Sequence, residues 1–101
     1  MTTIVQTAPQ AVGTSTATVT LPSSPTVGNA LILLILSEGA PPSGIGGFVL
    51  QAADSVEAGA STSRYGRTAK TGDGKSVIVN LNSPSIVVGW ELAGYTVLGG
   101  G

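Results

Sequence analysis

Residues Ala30 to Leu36 read ALILLIL, seven consecutive apolar side chains in a chain of 101 residues of which 9% are charged. Pro25 and Gly28 precede the run, and Glu38, Gly39, Pro41 and Pro42 follow it. A buried helix here would need more than seven residues and a cap, and the run is far shorter than the roughly 20 residues that span a bilayer. Asn29 to Ser37 is therefore expected to be a strand. Because apolar residues occupy both of its alternating sets, it reads as a central strand covered on both sides. One cover belongs to the domain's own core. The other has to be a loop or a neighbouring molecule, since an apolar strand left open invites aggregation.

The rest of the sequence is punctuated by 15 Gly and 6 Pro, with Thr, Ser and Val between them, and no segment sustains a helical period. TIVQT at Thr3 to Thr7 and STATVTL at Ser15 to Leu21 read as strands, the second with Ala17, Val19 and Leu21 alternating with threonines. FVLQAA (Phe48 to Ala53), TSRYGRTA (Thr62 to Ala69), SVIVNL (Ser76 to Leu81) and IVVGWEL (Ile86 to Leu92) follow, separated by turns at Gly39 to Gly47, Asp54 to Ala60, TGDGK at Thr71 to Lys75, and Asn82 to Ser85. Seven candidates at this spacing predict an all-β antiparallel sandwich of about seven or eight strands. Leu31, Leu33, Ile35, Phe48, Val79 and Trp90 are its expected core, Trp90 because it alternates in step with Ile86, Val88 and Leu92. A single domain over 1–95 is expected, with 96–101 a glycine-rich tail or linker.

Composition narrows the chemistry. The chain has no Cys and no His, which removes thiolate sites, the commonest general base and the commonest metal ligand. The five carboxylates Glu38, Asp54, Glu57, Asp73 and Glu91 are scattered, and no base stands ready to activate a Ser or Thr. Asp73 alone in its loop falls short of the ligands calcium takes, and Gly44, Gly46 and Gly47 precede no helix that could hold a phosphate. No enzyme, cofactor or metal is expected. A net charge of −1 gives no reason to expect nucleic acid or an anionic membrane as partner. The first residues, MTTIVQTAP, lack a basic, then apolar leader pattern, so synthesis in a cytoplasm is expected. A mean hydropathy of +0.40 with so few charges favours a surface partly covered by other subunits.

Arg64, Arg67, Glu91, Tyr65 and Tyr95 are the candidate interaction residues. The two arginines and Glu91 suit either an ion pair across neighbouring strands or an intersubunit surface. Trp90, Tyr65 and Tyr95 together would suit a sugar-stacking platform, which keeps a carbohydrate-binding module as the alternative function. Gly28 and Asn29 read as turn geometry at the entry to the apolar strand.

Taken in order, PTVGNALILLIL, PPSGIGGFVLQAADSV, SRYGRTAKTGDGKSVIVNL and VVGWELAG resemble the β-sandwich modules of tailed-phage and prophage structural proteins, including head decoration, fibre and minor tail proteins. Those modules carry a Pro-x-x-Gly-Asn-x-Leu strand entry, a Pro-Ser-Gly turn, a Tyr-x-Arg or Tyr-x-Lys strand ending in Ala, a Gly-Asp or Gly-Glu turn, and a closing strand with Glu followed by Gly. The likeness spans residues 15–94. The family's Trp after the Pro-Ser-Gly turn is missing, with Ile45, Gly46, Gly47 and Phe48 in its place, and the sequence ends where relatives often continue. The resemblance implies a jelly-roll-like, non-enzymatic virion protein, made in the host cytoplasm, that decorates a capsid or attaches a fibre or tail component. Its implied partners are capsid or tail proteins and copies of itself, a trimer being one arrangement that suits it.

Overall fold

In a computed structural model, which describes residues 2–55 and 59–97, the apolar run lies at the centre of a six-stranded antiparallel sheet. The eight strands are β1 (Thr3–Thr7), β2 (Ala11–Gly13), β3 (Thr16–Thr20), β4 (Ala30–Ser37), β5 (Val49–Ser55), β6 (Ser61–Thr68), β7 (Ser76–Asn80) and β8 (Ser85–Ala93). The described residues contain no α-helix. The large sheet runs β1-β8-β4-β6-β5, with β2 also on β8, and β3 pairs with β7 in a second sheet. The chain is thus an all-β antiparallel sandwich. Pairing is nested, β1 and β2 with β8, β3 with β7, β4 with β6, leaving β5 at the tip, the winding of a jelly roll.

All eight residues of β4 are paired on both sides, with β6 and with β8. Its odd-numbered residues Leu31, Leu33 and Ile35 face the small sheet and join Ala17, Val19, Val79, Leu81 and Val87 in the main core. In β3, Ala17 and Val19 are buried while Thr16, Thr18 and Thr20 are exposed, as the period-2 reading requires. Next to this two-stranded cover, the loop between β4 and β5 closes over the sheet. Ile45 is buried, Phe48 packs half-buried against the core, and the Tyr65 hydroxyl donates to the Pro42 carbonyl at 3.3 Å.

Trp90 is not in the main core. Ile86, Val88, Trp90 and Leu92 share one face of β8, but they stand opposite Leu36, Leu34, Ile32 and Ala30, on the face turned away from the small sheet. Alternation says which residues share a face and not which face turns inward. Here Gly89 decides. A Cβ at Gly89 would stand 2.9 Å from Val19 Cγ1 and 3.1 Å from Leu33 Cδ2, so only the glycine side of β8 lets β3 approach. Trp90 is half-buried instead in a second cluster with Ala30, Ile32 and Val97.

Other elements also depart from the sequence reading. The three-residue β2 is too short to carry a periodic signal. Alternation in FVLQAA would put Phe48, Leu50 and Ala52 on one side, but a bulge between Leu50 and Ala52 sets Leu50 opposite Tyr65 and Ala52 opposite Arg64, on different faces. TGDGK keeps its turn, with a bond from the Asp73 amide to the Lys70 carbonyl, yet it joins strands in different sheets rather than a hairpin. Within the span expected as a tail, Val97 is buried; residues 98–101, like Glu57 in the 54–60 loop, lie outside the described residues.

Gly89→Ala is expected to lower stability. Overpacking costs about 1–3 kcal/mol, which outweighs the roughly 0.5–1 kcal/mol gained by removing a strand glycine. Gly44→Ala, where a Cβ would meet nothing within 4 Å, is expected to stay within about 0.5 kcal/mol of the parent. Urea midpoints at unchanged m-value check the pair.

Candidate interaction surface

The outer face of the large sheet is built from the even-numbered residues of β4 and their partners. Ile32, Leu34 and Leu36 stand opposite Trp90, Val88 and Ile86 on β8 and opposite Gly66, Arg64 and Thr62 on β6. Among the described residues no second sheet covers this side. At one end the segment after β8 folds back over it, bringing Tyr95 and Val97 onto Ala30, Ile32, Trp90 and Leu92. Gly66 makes the seat, since a Cβ there would lie 3.1 Å from Ile32 Cδ1 and 3.2 Å from Val97 Cγ1.

The other end is open. Val12 is 67% exposed, Leu34 41% and Leu36 45%, with Val88 and Ile86 half-buried among them. Val12, Leu36, Pro84 and Ile86 line a groove of about 320 Å³. Beside it a hollow of about 130 Å³ is bordered by Leu34, Ala52, Asp54, Thr62 and Arg64. Contiguous exposed apolar surface of this kind marks a site of association. The hollow beside β3 and β7 is far smaller, about 10 Å³, the size of a single water.

Of the five interaction residues expected from sequence, only Arg64 lies on the open half. Tyr65 is 5% exposed in the main core, and Tyr95 packs on the covered half, so Tyr65, Tyr95 and Trp90 form no common platform. Arg67 faces the other side of the sheet, where its Nη2 meets both Asp73 carboxylate oxygens at 2.8 and 2.9 Å and its guanidinium lies 5.5 Å from the Phe48 ring centroid. The same Asp73 accepts from the Lys70 amide at 2.7 Å, fixing the turn that carries the chain into the small sheet. Leu34, Leu36, Val12, Ile86 and Asp54 went unselected. For Leu34 and Leu36 the signal was the doubly apolar run, whose second face required a cover; nothing in the sequence places Val12, Ile86 and Asp54 beside them.

Glu91 is corrected most. Rather than lining a surface with the arginines, it is 1% exposed, and Leu31 stands between it and Arg67 in the register. Its Oε1 accepts from Gln6 Nε2 at 2.6 Å, and its Oε2 from the Thr26 amide at 2.9 Å and Asn29 Nδ2 at 2.7 Å. Gln6 in turn accepts from the Ser23 amide at 3.0 Å through its side-chain oxygen. The carboxylate therefore ties the loop from Ser23 to Asn29 onto β1 and β8. Burial raises its pKa, but the donors from Gln6, Asn29 and Thr26 outweigh that and hold it below the ordinary 4.5.

A carboxyl whose folded pKa is depressed contributes stability above its unfolded value, and that contribution is lost as pH falls through the lower folded value. The urea midpoint is thus expected to be level above the ordinary carboxylate range and to fall on acidification below it, with a smaller fall in Glu91→Gln. At neutral pH Glu91→Gln turns an amide N–H₂ toward a donor, and a loss of about 1–3 kcal/mol is expected.

In comparisons with known proteins, no family model, no curated protein and no solved structure matched the chain.

Proposed function

We propose that this protein is a non-enzymatic virion structural module of a phage-like particle, one that decorates the capsid or attaches a fibre or tail component through protein contacts. The observation that carries the reading is the open half of the outer face, where Val12, Leu34 and Leu36 stand exposed in one apolar patch. A face of that kind calls for a protein neighbour rather than a soluble small molecule, because it is broad and apolar, with polar groups only at its margin. The likeness of residues 15–94 to phage sandwich modules supplies the kind of assembly, and the absence of His and Cys fits a role without chemistry. In a particle, many copies of one weak contact add up to firm attachment.

The glycan alternative depended on exposed rings, and its three aromatic residues are divided between the core and the covered half. Quantitative mass spectrometry of purified particles tests the virion reading. The chain is expected as a stoichiometric component that survives density-gradient purification, and its absence from the particles overturns the proposal.

A further inference from the structure

Arg64 and Asp54 mark the margin of the open half. Arg64 stands opposite Ala52 and Asp54 opposite Thr62, so the two are diagonal neighbours on adjacent strands, their Cα atoms about 7–8 Å apart. Both are exposed, and neither has an ion pair or hydrogen bond among the described residues. Arg67 and Asp73, by contrast, are paired with each other. The patch therefore presents one unsatisfied cation and one unsatisfied anion side by side at the edge of an apolar field, with Glu38 at its rim.

That arrangement is self-complementary. A two-fold axis lying in the plane of the contact and passing midway between Arg64 and Asp54 sets each against the other's copy. Drawn perpendicular to the line that joins them, the axis crosses the sheet beside Leu36, whose neighbours in the register are Thr62 and Ile86. Apolar side chains then meet near the axis while two reciprocal ion pairs close the margin. Such exchanged opposite charges give the complementary potentials that fix the register of a contact. We infer that the occupant of the open half is a second copy of this chain, packed face to face about a two-fold axis with Arg64 of each protomer against Asp54 of the other.

The inference rests on the reading of this face as a docking surface, and it replaces the trimer with a two-fold pair. Aligned sheets pack about 10 Å apart, and the covered end, thickened by Tyr95 and Val97, forms a shoulder that keeps the contact to the open half. That half measures about 20 Å across the strands and about 15 Å along them, less than the roughly 800 Å² per partner of a standard interface. A dissociation constant on the order of 0.1 mM is accordingly expected.

Sedimentation velocity of the full chain from about 10 μM to about 1 mM tests this with Arg64→Asp and Asp54→Arg, each also examined by circular dichroism for an unchanged fold. The parent is expected to dimerise, and each variant alone to associate at least tenfold more weakly. An equimolar mixture of the two variants is expected to recover a heterodimer, since each mismatched pair becomes a matched one across the axis. An ion pair within one chain could not produce that recovery. A parent that stays monomeric, or variants that dimerise as the parent does, overturns the inference. If such a monomer is nonetheless found in purified particles, docking to other virion proteins stands and only the second copy falls. A heterodimer from a chain absent from particles would overturn the virion reading and leave the pairing intact.

Discussion

The fold depends on β4 being paired along both edges and apolar on both sides. Every backbone donor and acceptor of the strand has a ladder partner in β6 or β8, so the cost of burying an amide is met along its length. With that met, Leu31, Leu33 and Ile35 hold one side of the sheet to β3 and β7. Ala30 and Ile32 hold the other to the chain's last described residues. Two covers of unequal size follow from one strand. The inner one is a sheet, and the outer one is a short segment that reaches only half-way.

A second constraint acts at the end of the sheet where the loop enters β4. The buried carboxylate of Glu91 gathers donors from Gln6 on β1 and from Thr26 and Asn29 in the loop before β4, two segments far from it in sequence. No cation takes part in these three bonds. Neutral donors suffice because three of them converge, and a carboxylate so served can stay ionised despite burial. The consequence for the site is indirect. Holding the 23–29 loop leaves the register of β4 against β8 fixed at Ala30 and Leu92, which in turn sets where Leu34 and Leu36 emerge.

Much of the fold was legible in the sequence because period-2 alternation is local. Ala17, Val19, Val79 and the β4 run announce themselves within a few residues. What was not legible depends on pairs distant in sequence. The inward face of β8 is chosen by Gly89 meeting Val19 and Leu33, and alternation is silent on such a choice. The bulge at Gln51 slips β5 by one position, and nothing in FVLQAA signals it. Glu91 looked like a surface charge because charges usually are one, and its burial needs three partners brought from far along the chain. The docking face was half legible, since the doubly apolar run demanded a second cover. That Val97 can settle on this face depends on the seat left by Gly66, which only the folded register reveals.

The nested pairing has a geometric consequence of its own. It brings Thr3 beside Ala93, and the Thr2 hydroxyl donates to the Gly94 carbonyl at 3.3 Å, so the described chain enters and leaves the sandwich at one corner. That corner lies at the covered end of the sheet, while Leu36 and Ile86 lie toward the opposite end of a body 38 Å long. A tether attached at either terminus would therefore pull from the pole opposite the open face. Such a module could hang from a stem and still present its apolar half outward.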